Sequence, residues 1–247
     1  MIAHYKGNIP FVDISQMREI DRIANEELGI GHIQMMENAG LNLALLAKEK
    51  FLHNEPKKKK VQIIAGTGLN GKTALVAARR LKSWGVEVSV ILAVEQSKYT
   101  KEYQQQLDSL KKLGIKFKEK PEKSNLIIDG IVGYGLNGGL SKKAAELIME
   151  INRLGSPVLA LDAPSGLDLN NGKPSDPTIK ANATLTLAMP KTGLFKLNAS
   201  KYIGELYLAD IGIPPMAFQK FHIRETDLEG IFKEGTLVKI NKVIVFS

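Results

Sequence analysis

The sequence predicts an α/β fold with a mostly parallel sheet covered by helices on both faces, and three observations predict it. Short apolar runs of strand length alternate with helical periods along most of the chain. The runs are apolar at consecutive positions, as in strands buried on both faces; a half-exposed sheet would alternate. Several helical periods stop at a glycine, Gly85, Gly114 and Gly155 among them, where a left-handed residue closes a helix.

The elements follow in order. Ile14, Met17, Ile20, Ile23, Ala24 and Leu28 mark a first helix, with Ser15 expected as its N-cap and Gly29 and Gly31 at its end. Met35, Met36, Ala39, Leu43, Leu46 and Ala47 form a second apolar face, its methionines read as core packing. Val61–Ala65 is a strand, the helix after it is expected from Thr73 to Trp84, and Val86–Val94 is a buried strand. Tyr103, Leu107, Leu110 and Leu113 mark a helix, Ile115–Phe117 a short strand and Asn125–Asp129 another. Ala144, Leu147, Ile148, Ile151 and Leu154 make a helix before the strand Val158–Leu161. Ala181–Leu187 and Glu205–Asp210 continue the strands without a full helix between them. Leu237–Phe246 alternates weakly, as an edge hairpin or an appendage does. No repeat or linker divides the chain, so one domain over residues 1–247 is expected, with about 215–247 as a C-terminal extension.

Composition narrows the function. The 247 residues are 44% hydrophobic and 24% charged, which builds a core and excludes a mainly disordered chain. Thirty-four Lys+Arg against 26 Asp+Glu give a formal charge of +8, favouring an anionic partner. The absence of cysteine excludes disulfides, thiol nucleophiles and Cys-ligated metal centres. The 4 histidines show no metal-ligand spacing. The longest apolar runs fall far short of the roughly 18–20 residues of a membrane helix, and the N-terminus lacks a signal-peptide core, so a cytoplasmic protein without a membrane partner is expected. The lysines at 57–60 and 116–123 lack interleaved aromatic residues and read as solvated faces, so no nucleic acid is expected as a partner.

The chemistry should lie beyond the carboxyl ends of the strands, where ligands bind in such sheets. Three strand ends lead into unusual loops: Gly66–Gly71, Asp129–Gly139 and Asp162–Gly166. Gly133–Gly139 holds four glycines in seven residues, whose backbone N–H groups can approach a phosphate. Asp129 and Asp162 place carboxylates at strand tips, able to bind a cation or move a proton. Gly66-Thr67-Gly68-Leu69-Asn70-Gly71-Lys72-Thr73 also matches the P-loop pattern, which would place Lys72 on phosphates and Thr73 on magnesium, as in an ATPase or GTPase.

From Met17 to about Pro215 the chain resembles the NAD(P)H-hydrate epimerase family, the YjeF N-terminal domain. Met17-Arg18-Glu19-Ile20-Asp21 and Met36-Glu37-Asn38-Ala39-Gly40 are similar to the family's opening helices. Leu75–Leu81 resembles the helix after its Gly-rich loop, and Asp129–Leu136 its Asp-Ala-x-x-Gly-x-Gly-Leu segment. Asp162-Ala163-Pro164-Ser165-Gly166-Leu167-Asp168 resembles its Asp-x-Pro-Ser-Gly-Leu-Asp signature. Ala183–Lys191 and Gly204–Pro214 resemble its closing strands.

The resemblance implies a Rossmann-like three-layer α/β/α sandwich, usually a homodimer, that interconverts the R and S forms of hydrated NADH and NADPH. A separate ATP- or ADP-dependent dehydratase then restores the cofactor. It implies Asp162 as the acid/base, a potassium ion on Asn70, Asp129 and Ser165, and a substrate embraced by Leu69, Asn70, Gly71, Lys72, Thr73, Gly133, Tyr134, Gly135, Leu136, Asn137, Gly138, Gly139 and Asp162. One loop departs from the family's Gly-x-Gly-Asn-Asn-Gly-Gly-Asp-Gly: Leu69, Lys72, Thr73 and Ala74 replace the first Asn, a Gly, the Asp and the last Gly. That exchanges a carboxylate for a cation, and Lys72 is expected to help hold a phosphate. A non-catalytic nucleotide-binding relative is the alternative this change raises, beside the P-loop reading.

Overall fold

The computed structural model describes residues 2–95, 97, 99–134 and 139–241. Its strands are β1 (Ala3–Tyr5), β2 (Lys60–Ala65), β3 (Glu87–Leu92), β4 (Lys116–Lys118), β5 (Leu126–Gly130), β6 (Val158–Leu161), β7 (Ala183–Leu187), β8 (Glu205–Ala209) and β9 (Leu237–Ile240). They form one sheet in the order β1-β9-β8-β7-β6-β5-β2-β3-β4, parallel throughout except for the antiparallel β8–β9 pair. The winding runs one way from β2 through β3 to β4 and the other way from β5 through β6 to β8, so the switch point lies between β2 and β5.

The helices are α1 (Ile14–Arg22), α2 (His32–Leu46), α3 (Leu69–Ser83), α4 (Lys101–Lys112), α5 (Lys142–Leu154), α6 (Ser200–Ile203) and α7 (Glu225–Leu228). Because successive strand residues face opposite sides, Ile63 and Ile128 pack under α1 to α4 with Met17, Leu43, Leu75 and Leu107. Ile64 and Ile127 pack on the other side with Leu147, Ile148 and Ile151 of α5. Leu206, Leu208 and Val238 extend that second face against Leu194, Phe195 and Ile203. These are the three layers expected, and the fold class stands.

Several local expectations are corrected. Asp13, not Ser15, caps α1: its carboxylate accepts the Gln16 N–H at 2.8 Å, and the Gln16 side chain returns the bond at 2.9 Å. From Ile23 to Glu27 the helix widens into a π turn, and Gly31 opens α2 instead of ending α1. α3 begins at Leu69, four residues early, with consequences for the site. The described part of Leu237–Phe246 is neither an edge hairpin nor an appendage. β9 is a single strand lying inside the sheet, with β1 outside it. β1 itself escaped the apolar pattern because Ala3-His4-Tyr5 carries a charged-type residue at its centre and lies on the edge. Lys57, Lys58 and Lys60 are exposed, as a solvated face requires.

Candidate functional site

Strands β2, β5, β6 and β7 are parallel neighbours, so the loops after them meet on one edge of the sheet. Two clefts open there and share Leu69, Asn70 and Tyr134. The first, about 500 Å³ including open solvent, is mostly apolar, lined by Met17, Met35, Met36, Ala39 and Ile211 with Asp21, Thr73 and Lys191. The second, about 1190 Å³ on the same measure, runs along Gly66–Asn70, Val132–Tyr134 and Gly139–Ser141.

Two tight turns lie at the ends of β6 and β7, beside the first cleft. Leu161 O accepts the Ala163 N–H at 2.8 Å, with Asp162 between them at φ +64°. Leu187 O accepts the Met189 N–H at 2.6 Å, with Ala188 between them at φ +59°. A left-handed residue inside so short a turn is strained for any side chain. The turns, at the ends of adjacent strands, fold Asp162 and Lys191 toward one another. Lys191 Nζ lies 2.5 Å from Asp162 Oδ1 and donates to Leu187 O at 2.9 Å. Both side chains are 1% exposed. Asp162 Oδ2 also accepts the Tyr134 N–H at 3.3 Å. The Lys191 backbone is pinned by Val12, whose N–H donates to Pro190 O at 3.0 Å and whose carbonyl accepts from Thr192 at 2.9 Å.

Asp129 and Ser165 meet in the buried interior at the ends of β5 and β6. The Ser165 hydroxyl donates to Asp129 Oδ1 at 2.6 Å, and its backbone N–H to Oδ2 at 2.8 Å. Burial pushes the Asp129 carboxyl up to about 6, against these hydrogen bonds, which hold it down. Asn70 donates to Leu161 O at 2.7 Å and lies against Gly133, where a Cβ would come within 2.4 Å of its amide. Among the described hydrogen bonds it touches neither the Asp129 nor the Ser165 side chain.

The other expected residues divide. Leu69, Asn70, Gly133, Tyr134 and Gly139 line the second cleft, and Thr73 lines the first. Gly71 packs where a Cβ would sit 1.7 Å from Gly66 O, so it is there for close approach. Gly135, Leu136, Asn137 and Gly138 lie outside the described residues. Asp162 is sealed behind Lys191 and Tyr134, which line the first cleft in its place. Lys72 lines neither cleft; its charge helps hold the Glu102 carboxyl of α4 low, after the larger effect of local hydrogen bonds.

The P-loop reading fails on geometry. With α3 starting at Leu69, the Gly-Lys-Thr triplet belongs to the helix, and the Lys72 N–H already bonds Gly68 O at 3.1 Å. Only Gly66, Thr67 and Gly68 remain as loop, too short to wrap a phosphate.

Lys191 and Asp21 were missed as site residues. Asp21, on α1, accepts a hydrogen bond from the Tyr134 hydroxyl, and burial pushes its carboxyl up. The same burial pushes the Tyr134 phenol up. The signal for Lys191 was present: a lysine just past an apolar strand, on the same sheet edge as two strand-tip aspartates.

Comparison with known proteins agrees with this architecture. Residues 32–193 match the family described as YjeF-related protein N-terminus. An NAD(P)H-hydrate epimerase of Dehalogenimonas lykanthroporepellens is 36% identical over 93% of this chain and 92% of its own length. One from Rhodopirellula baltica is 29% identical over 87% and 89%. A bifunctional NAD(P)H-hydrate repair enzyme of Moorella thermoacetica is 33% identical over 86% of this chain, which spans 43% of that longer protein. The crystal structure of yeast ynu0 superimposes with a TM-score of 0.79 at 25% identity, covering 94% of this chain and all of that one. A sheet wound about a β2–β5 switch, strand-tip aspartates at 129 and 162, and a family match across two thirds of its length make this chain a member of the YjeF-related N-terminal family.

Proposed function

We propose that the chain interconverts the R and S forms of hydrated NADH and NADPH. The observation that carries this reading is the buried Asp162–Lys191 pair at the wall of an apolar cleft, beside a glycine-lined cleft, in a chain of this family. Moving the C6 hydroxyl from one face to the other requires a group that gives and takes a proton. Asp162 is that group, and Lys191, which does line the cleft, is the ammonium through which it meets the ring. The apolar cleft suits the nicotinamide ring, and the cleft along Gly133 and Gly139 suits the diphosphate. Adding the acid-generated hydrate mixture to an excess of pure dehydratase tests this. The dehydratase alone stalls on the R form, and this protein is expected to carry the conversion to completion; a persistent R fraction rejects the reading.

The donor set also fits a potassium ion. Asp129 is a fully buried carboxylate, and no cationic side chain figures among the groups that offset its burial. Ser165, hydrogen-bonded to it, adds a neutral oxygen, and the Asn70 side-chain carbonyl would supply another. A bound monovalent cation would supply the missing countercharge there. In the folded chain Asp129 holds its proton up to about pH 6, against about 4 unfolded. Between those values the folded state binds more protons, so stability falls as pH rises, by about 3 kcal/mol in all. Potassium should offset that loss. Thermal melts at pH 7 are therefore expected to rise when KCl replaces tetramethylammonium chloride, with little change at pH 4.5. An Asp129→Asn protein responding to KCl as strongly as the parent sinks this assignment.

The same reading carries a homodimer in the cytoplasm and a hydrate dehydratase as functional partner. The bifunctional Moorella relative supports the link to a dehydratase. No described helix is long and apolar enough to cross a membrane.

A further inference from the structure

The Asp21–Tyr134 contact has no task in a reaction carried by Asp162 and Lys191 alone. Asp21, Tyr134 and Lys191 line one apolar cleft but come from three separate elements: α1, the loop after β5, and the segment after β7. The Tyr134 hydroxyl donates to Asp21 Oδ2, and Lys191 Nζ lies 5.8 Å from the centre of the Tyr134 ring. The cleft therefore holds Asp21 and Lys191 on separate elements with one aromatic ring between them, and His32 lies in the same lining. Burial makes Asp21 retain its proton to higher pH than an exposed carboxyl; the Tyr134 hydrogen bond opposes this most, then Lys191, while Asp162 reinforces it and His32 opposes it.

Inverting C6 demands that the hydroxyl leave one face of the ring and return to the other. An acid fixed on one side of a bound ring reaches one face only. We propose that Asp21, seated by the Tyr134 hydroxyl, is a second catalytic residue of the epimerase, serving one face of the hydrated ring while the Lys191–Asp162 pair serves the other. The proposal rests on the epimerase reading. On the first face the Asp21 proton passes to the hydroxyl, the C6–O bond breaks with its pair on oxygen, and the N1 lone pair forms N1=C6. On the second face water adds to C6 and the C=N pair returns to N1. The water's proton goes to Lys191 Nζ as Lys191 passes one to Asp162 Oδ1. The reverse reaction runs the two acids in opposite roles.

The experiment incubates the hydrate mixture with the protein in oxygen-18 water and follows epimerisation and label entry into each epimer. The parent protein is expected to epimerise and to label both. Asp21→Asn is expected to lose about 100-fold or more of epimerisation, yet to label one epimer at close to the parent rate, because the remaining acid still releases and recaptures hydroxyl on its own face. Equal loss of label in both epimers, unchanged epimerisation, or epimerisation by the parent without label overturns the proposal. Tyr134→Phe keeps the ring and removes the hydrogen bond. It is expected to show the same one-sided pattern with about a 10-fold loss, and it decides the matter if Asp21→Asn does not fold. A parent protein that neither epimerises nor labels overturns the epimerase reading itself, a different outcome from a two-sided loss in the variants.

Discussion

Replacing Lys191 with methionine is expected to destabilise the protein by about 3–5 kcal/mol, because it strips a buried carboxylate of its partner. Asp162 is 1% exposed and held by a strained turn, so it cannot swing out to water. Its remaining donors, the Tyr134 N–H at 3.3 Å and the Thr186 hydroxyl at 3.4 Å, are long. The methionine fills the lysine stem's space, which isolates the charge effect from packing. Urea melts of the two single variants and of Asp162→Asn with Lys191→Met complete a cycle. The double variant should recover much of the loss, since neither charge is then left alone. A Lys191→Met protein within about 1 kcal/mol of the parent would falsify the view that this pair is desolvated as a unit.

Asp162→Asn by itself should cost about 100- to 10,000-fold in the rate of epimerisation, the range of a positioned acid or base. Asparagine keeps the planar shape and one of the two acceptor oxygens, which face Tyr134 and Thr186 separately, but holds no transferable proton at pH 7. The loss should fall on kcat with KM little changed, because Asp162 lies behind the cleft wall and adds little to binding. A variant with kcat within about threefold of the parent removes Asp162 from the chemistry.

The layers of this fold were legible because they rest on local pattern. Apolar runs such as Val158–Leu161 had nowhere to go but a doubly covered sheet, and the glycines after α3, α4 and α5 marked their ends. The meeting of the loops after β2, β5 and β6 on one edge was legible too, since parallel strands bring them together. The start of α3 was not. Gly68-Leu69-Asn70-Gly71 has poor helix propensity, and it is helical because Gly71 must press against the Gly66 carbonyl, a tertiary demand. Partnerships were also hidden. Lys191 pairs with a residue 29 positions away and Tyr134 with one 113 away, and only the order of strands reveals that they meet.

The position of β9 governs how this chain can be made. Until residue 240 has left the ribosome, β8 exposes an unpaired edge of Leu206, Tyr207 and Leu208, and β1, though synthesised first, has no neighbour. β1 thus waits for β9, a closure that must bring Ala3 beside Val238. A ribosome stalled before Leu237 would hold a product with β2, β5, β6 and β7 in place and an adhesive flank, so errors late in synthesis should show as aggregation before they show as loss of the site these strands position.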